Sequence, residues 1–280
     1  MKVLIAYDGS KFAEAALADL AYAGLPNDTQ ARIFSVVEKH IDPLAESMIE
    51  DACTRVQAQF RPWTVQMEKA TGVPSEMIMK RQREWHADLI IVGTHGRTGL
   101  TRLLLGSVSA AVAREAACSV RIVRAGEHRG AASLRILAGH DGSPEADRVV
   151  GEICRRSWPA GTKAKVISVI HTLVASRADQ MAGIANTVHK INVEEHRWIE
   201  YLADEAERRF AQAGLVASSL VVEGDPKETL VNEARHWNAD TIFVGARGIG
   251  VVERLLLGSV SSSVITHAPC TVEIVRTLRG

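Results

Sequence analysis

Val92-Gly93-Thr94-His95-Gly96, then nine residues, then Gly106-Ser107-Val108-Ser109: this stretch recurs as Val244-Gly245-Ala246-Arg247-Gly248, nine residues, and Gly258-Ser259-Val260-Ser261. Each copy follows an apolar run, Asp88-Leu89-Ile90-Ile91 or Asp240-Thr241-Ile242-Phe243, which reads as a buried strand. Both copies also carry an arginine (Arg102, Arg254) and three leucines (Leu103 to Leu105, Leu255 to Leu257) before the last glycine. A strand that runs into spaced glycines, with Gly-Ser then opening a helix, builds an anion cradle. Glycine lets the main chain come close to a phosphate, and the helix start offers free N–H groups at its positive end. The stretch is therefore expected to be a phosphate-binding loop in duplicate.

The rest of the chain is duplicated with it. Asp8-Gly9-Ser10 matches Asp141-Gly142-Ser143 at an offset of 133, and the same offset pairs Ala31–Val36 with Ala164–Val169. From Gly72-Val73-Pro74 and Gly224-Asp225-Pro226 onward the offset is 152, so 19 residues are inserted in the second half, around His171 to Lys190. Each half reads as strands alternating with helices, which predicts a parallel sheet with helices on both faces. First-half strands are expected near 2–7, 30–37, 64–69, 88–93 and 119–124. Ser10 and Ser143 suit helix N-caps, and Pro74 and Pro226 suit first helical positions. The small, polar segment 127–132 suits a linker, giving domains at 1–126 and 133–280. In such sheets ligands bind beyond the carboxyl ends of the strands, which places Asp8 and the glycine loop on opposite walls of one crevice.

Bulk composition agrees with an ordinary globular pair of domains. The 280 residues are 46% hydrophobic and 24% charged, with 33 basic and 33 acidic residues in balance. That balance gives no electrostatic reason to expect nucleic acid, and no run of apolar residues is long enough for a membrane span. The start of the chain lacks the shape of a secretory signal, so a cytoplasmic location is expected. Cys53, Cys118, Cys154 and Cys270 have no metal-ligand spacing. Cys118 and Cys270 occupy equivalent positions, and they are expected to pack as buried thiols rather than to form a redox pair.

With these motifs in place, the chain resembles the universal stress protein family in its tandem two-domain form. The family's ATP-binding members carry Gly-x2-Gly-x9-Gly-Ser/Thr, and the resemblance covers nearly the whole chain. It implies two Rossmann-like domains of the adenine nucleotide alpha hydrolase-like kind, each with five parallel strands in the order 3-2-1-4-5. ATP, with Mg²⁺ carried by its phosphates, is implied between the first and fourth strands. On that resemblance Asp8 contacts the ribose or adenosine end, and the Val36 backbone reads the adenine edge. Gly93, His95 and Gly96 line the ribose and first phosphates, while Gly106, Ser107, Val108 and Ser109 hold the terminal phosphates. In the second half the same roles fall to Asp141, Val169, Gly245, Arg247, Gly248, Gly258, Ser259, Val260 and Ser261. It also implies that the last strands of the halves pair antiparallel, as an intramolecular pseudo-dimer or between the copies of a homo-oligomer.

The residue chemistry is compatible with those roles. A carboxylate repels phosphate, so Asp8 belongs at the nucleoside end, and serine hydroxyls donate to phosphate oxygens. Arg247 brings a charge that a neutral His95 does not, which predicts tighter phosphate binding in the second half. Tyr7 and His140, just before the aspartates, stand where they crowd or stack on the base. Trp85 and Trp237 are expected to pack helix against sheet. His171, His189 and His196 match no compact metal-ligand pattern, and the charged run Glu194 to Arg209 reads as a solvated helix face. No lysine follows the glycine loop and no catalytic assembly is evident. A nucleotide-dependent stress regulator, with a protein partner to read it, is expected rather than an enzyme. An ATP-independent scaffold and a slow ATPase are the alternatives.

Overall fold

The computed structural model describes residues 1–37, 43–96, 105–124, 134–170, 185–248 and 257–276, with backbone only at 43–45 and 185–192. The linker at 127–132, Arg102, Arg254 and His171 lie outside the described residues, as do the side chains of His189 and Lys190. The first half runs β1 (Lys2–Ala6), α1 (Lys11–Asp19), β2 (Gln30–Val37), α2 (Pro43–Gln59), β3 (Thr64–Thr71), α3 (Pro74–Trp85), β4 (Leu89–Gly93), α4 (Ser107–Glu115) and β5 (Ser119–Val123). The second runs β6 (Arg135–Gly139), α5 (Pro144–Arg155), β7 (Lys163–Ile170), α6 (Ala185–Gln212), β8 (Val216–Glu223), α7 (Pro226–His236), β9 (Thr241–Gly245), α8 (Ser259–His267) and β10 (Thr271–Val275).

Local chemistry sets the element ends. Ser10 Oγ accepts from the Ala13 N–H at 3.2 Å and Ser143 Oγ from Ala146 at 3.1 Å, which caps α1 and α5. Pro74, Pro144 and Pro226 each open a helix, where a missing N–H costs nothing. β3 extends to Thr71, past the expected end at Lys69, because β2 pairs with it residue for residue through Val37↔Thr71. The insertion is shared between connection and helix: α6 has 28 residues where α2 has 17.

Ten strands form one sheet in the order β3-β2-β1-β4-β5-β10-β9-β6-β7-β8. Each half is thus parallel in the order 3-2-1-4-5, as expected. The halves meet through antiparallel β5–β10, where Arg121 faces Glu273. Alternating strand residues feed the two faces. Leu4, Ile90, Val92, Val120 and Ile122 join a core that continues across the seam to Ile242, Val244, Val272 and Ile274, covered by α3, α4, α7 and α8. The opposite face carries two separate cores, one under α1 and α2 and one under α5 and α6.

Between those two cores lies a buried ionic cluster. Arg121 donates to Asp19 Oδ2 at 2.5 Å and to Glu273 Oε2 at 3.1 Å, and Arg156 Nη1 donates to the same Glu273 oxygen at 3.0 Å. The side chains of Arg121, Asp19 and Glu273 are fully buried and that of Arg156 almost so. Glu152, 16% exposed, also accepts from Arg156 at 3.1 Å, so the two guanidinium groups are held among three carboxylates and no buried charge lacks an opposite one. Beside them, Arg156 and the Ser157 N–H bind the carbonyls of Ala23 and Gly24 at 2.8 and 2.9 Å. Trp158 lies over Gly24, whose φ is +62° and whose missing Cβ would fall 2.6 Å from the indole. Only glycine suits that position.

Candidate functional site

In both halves the glycine loop leaves the end of the fourth strand and returns to the start of the fourth helix. Its neck is pinched by matching bonds: Gly106 N–H to Thr94 O at 2.7 Å, and Gly258 N–H to Ala246 O at 2.8 Å. Thr94 and Ala246 are tied in turn to the neighbouring strand through Val123 O and Val275 O. Gly106 and Gly258 are the N-caps of α4 and α8. The N–H groups of Ser107, Val108 and Ser109, and of Ser259, Val260 and Ser261, thus fall in first helical turns without intrahelical acceptors.

Ser109 and Ser261 have a second task. Ser109 Oγ lies 2.9 Å from Thr94 O and 3.0 Å from Gly106 O, and Ser261 Oγ lies 2.7 Å from Gly245 O. A hydroxyl has one proton, so in this geometry each serine clamps its helix start to the loop neck. Its backbone N–H remains one of the three in that first turn without an intrahelical acceptor. Ser107 and Ser259 are exposed at the same helix starts.

The opposite wall begins at the end of the first strand. Asp8 Oδ1 and Asp141 Oδ1 each accept from the N–H two residues on, at 3.0 Å. The loops approach these acids closely: a Cβ on Gly96 would lie 2.9 Å from Asp8 Oδ2, and one on Gly248 2.3 Å from Asp141 Oδ2. The two walls enclose cavities of about 190 Å³ in the first half and about 410 Å³ in the second. Asp8, Val36, Gly93, His95, Gly96, Gly106, Ser107, Val108 and Ser109 all line the first. Asp141, Val169, Gly245, Arg247, Gly248, Gly258, Ser259, Val260 and Ser261 all line the second. Phe34 and Ile78, with Ile167 and Leu230 as their counterparts, add an apolar floor that sequence reasoning missed. The same two offsets relate these pairs, so the duplication was a signal for them.

The crevices differ in three places. Tyr7 and His140 both line their cavities. Tyr7 donates its hydroxyl to Glu14, which Arg55 also holds at 2.9 Å. Burial, then Glu14, raises the Tyr7 pKa, while the Arg55 hydrogen bond holds Glu14 below the usual carboxylate range. Burial lowers the His140 pKa despite Asp141 and Asp147 nearby, which favours the neutral ring. Second, His95 packs on Phe12 with ring centroids 5.0 Å apart, where the second half has Arg247 beside Glu145. Third, Glu195 and Ile199 from the longer α6 line only the second cavity. Both lie beyond the expected insertion, on the part of α6 that corresponds to α2.

Other singled-out residues fall elsewhere. Trp85 packs against the shared core under Arg32, and Trp237 against it under Lys165, with cations 4.3 and 4.6 Å from the ring centroids. Both are helix-to-sheet contacts, as expected. Leu105 and Leu257 pack against the same core; the other leucines of those runs lie outside the described residues. The four cysteines are free thiols, and burial pushes Cys118 and Cys270 up to about 12. His196 sits 3.8 Å from Glu223, and no metal-holding group of three ligands occurs among the described residues. The charged helix face is not wholly polar: Trp198 and Tyr201 stack there in the open, 58% and 54% exposed. No helix among the described residues is long and apolar enough to cross a membrane.

Comparison with known proteins agrees with this architecture. The model of the universal stress protein family matches residues 1–124 and again 133–276. A universal stress protein of Methanocaldococcus jannaschii is 37% identical over 86 residues, 30% of this chain. The chain spans only about half of that relative's length, 51%. A Staphylococcus aureus relative that carries the same family name is 33% identical over 118 residues, 37% of this chain and 71% of the relative. Among solved structures, a universal stress protein from Archaeoglobus fulgidus superposes with a TM-score of 0.64 at 21% identity, covering 98% of this chain and 96% of that one. A functionally unknown protein of Pseudomonas aeruginosa gives 0.69 at 16% identity over 98% and 92% of the two chains. At these identities the structural likeness speaks to the fold alone.

Proposed function

The chain belongs to the universal stress protein family, and from that premise we propose that both halves bind ATP or another adenine nucleotide. The base and ribose lie toward Val36 and Asp8, or Val169 and Asp141. The phosphates lie at the glycine loop and the first turn of α4 or α8. One observation carries this reading: the same nine equivalent positions line a crevice in each half, between the ends of the first and fourth strands. The close approach of Gly96 and Gly248 to the aspartates, and the free N–H groups at the helix starts, fit a ligand with a hydroxylated and an anionic end. Mg²⁺ enters with the phosphates, to which it supplies charge neutralisation. Ser107 and Ser259 are the exposed hydroxyls available at that end.

Occupancy then serves as the signal. Phosphate engaged at the loop changes the surface beside each crevice, and a protein partner reads that change. The reading is a nucleotide-dependent regulator rather than a dedicated enzyme. Mass spectrometry of small molecules released from the purified chain, with calorimetric titration of ATP, tests it. Adenine nucleotide at up to two equivalents per chain is expected; no released nucleotide and no ATP binding would sink the reading.

A further inference from the structure

Glu145 is the second residue of α5, and Arg247 stands inside the second glycine loop. Their side chains meet, Arg247 Nη2 lying 3.4 Å from Glu145 Oε1. Arg148, one turn along α5, reaches the same oxygen at 3.2 Å. The Glu145 and Arg247 side chains are largely buried, at 23% and 25% exposure, whereas Arg148 is 45% exposed. The loop backbone rests against the stem of the acid: a Cβ on Gly245 would lie 3.0 Å from Glu145 Cβ. The equivalent positions in the first half are Phe12 and His95, an aromatic contact with no formal charge on Phe12. An ion pair and a ring pair thus fill the same place in the two crevices.

A carboxylate resembles a phosphate in charge and in the acceptors it offers to a guanidinium fork. Glu145 therefore takes up the cation that a polyphosphate entering this crevice would use. The acid is shared with Arg148, which holds the same oxygen at 3.2 Å from the solvent side, where an ion pair is screened and weak. We propose that Glu145 is an internal competitor for Arg247, which the phosphate end of a ligand draws away, leaving the acid to Arg148 alone. The second crevice thereby selects polyphosphates by exchange of ion pairs, and the first does not. This rests on the nucleotide reading above for where the phosphate end lies. Each ligand must displace the internal carboxylate, so the apparent affinity falls by the fraction of protein in the competent state.

Calorimetry on the full chain, with Mg-ATP and separately with inorganic tripolyphosphate, tests the exchange. Glu145→Gln is expected to tighten both probes roughly twofold to fivefold, the range an ion pair of this exposure supports. Arg148→Gln removes the cation that keeps the acid and is expected to weaken both, whereas the tightening in Glu145→Gln is the sign that loss of packing does not produce. Arg247→Gln is expected to weaken both and to cancel the effect of Glu145→Gln. The proposal is overturned if ATP binds but Glu145→Gln fails to tighten it, or tightens it equally in the Arg247→Gln background. If tripolyphosphate binds and responds while ATP does not bind at all, the exchange stands and the adenine-nucleotide reading falls. If neither probe binds the full chain, both fall. Thermal midpoints of the variants report folding, and Arg148→Gln keeps the test open should Glu145→Gln unfold.

Discussion

At the scale of single residues, the duplication makes each crevice a comparison for the other. Tyr7, Glu14 and Arg55 form a bonded chain beside the first. His140, Asp147 and Arg209 stand beside the second, with Arg209 paired to Asp147. His140 is 7% exposed, and its burial depresses its pKa below the ordinary 6.5. The unfolded chain then binds the proton more readily than the folded one. Stability from this group is therefore complete above pH 6.5 and is lost as pH falls below it. Glu14 and Glu152, whose pKa values are lowered from 4.5, act only in a more acid range. The thermal midpoint is expected to drop between pH 6.5 and 5, and His140→Gln to flatten that part of the profile. An unchanged slope in the variant would remove His140 as its source. Tyr7 and His140 were visible in the sequence just before the aspartates, but their burial was not.

Among the elements, the decisive junction is the loop neck against the first turn of α4 or α8. The sequence shows Ser107 and Ser109 as two equivalent hydroxyls, whereas the helix separates them. Ser107 faces solvent, and Ser109, two residues on, turns back to the neck with 2% exposure. The two alanine substitutions should therefore differ. Ser109→Ala loses a buried hydrogen bond and is expected to cost about 1 kcal/mol in urea unfolding, and to weaken ATP as the neck loosens. Ser107→Ala is expected to leave stability within about 0.5 kcal/mol while still weakening ATP. Equal stability losses for the two would show that the clamp contributes nothing. The long α6 is a similar case. The insertion was legible as a count of residues around His171 to Lys190, whereas Glu195 and Ile199, beyond it on α6, are placed at the second crevice only by packing.

For the whole molecule, the seam sets how the halves pair. Arg121 and Glu273 are equivalent positions of the duplication, and the antiparallel register sets them face to face. The duplicated seam is therefore electrostatically unlike on its two sides, and two copies of one side would oppose like charges in a buried place. Replacing one member leaves its partner uncompensated, so Arg121→Met is expected to cost about 3–5 kcal/mol in urea unfolding. The double variant Arg121→Met with Glu273→Met leaves Arg156 with its Glu152 pair and Asp19 with its Thr271 contact. Its cost is expected to fall well below the sum of the single costs. Additive losses would mean that Arg121 and Glu273 do not act as one network.

The sequence by itself determined the alternation of strands and helices, the duplication, the glycine loops and the helix caps. Those features depend on neighbours a few residues apart, on φ preferences and on apolar periodicity, all written locally. It also set the aspartates and the glycine loops across one crevice, because a parallel sheet brings the carboxyl ends of its first and fourth strands together whatever covers them. The tertiary structure alone decided which polar groups share a proton or a charge. The clamp of Ser109, the Glu145–Arg247 pair and the Arg121–Asp19–Glu273–Arg156 cluster each join residues from different elements. In the sequence these groups lie from 15 to 152 positions apart. Their strength comes from burial, which only packing creates.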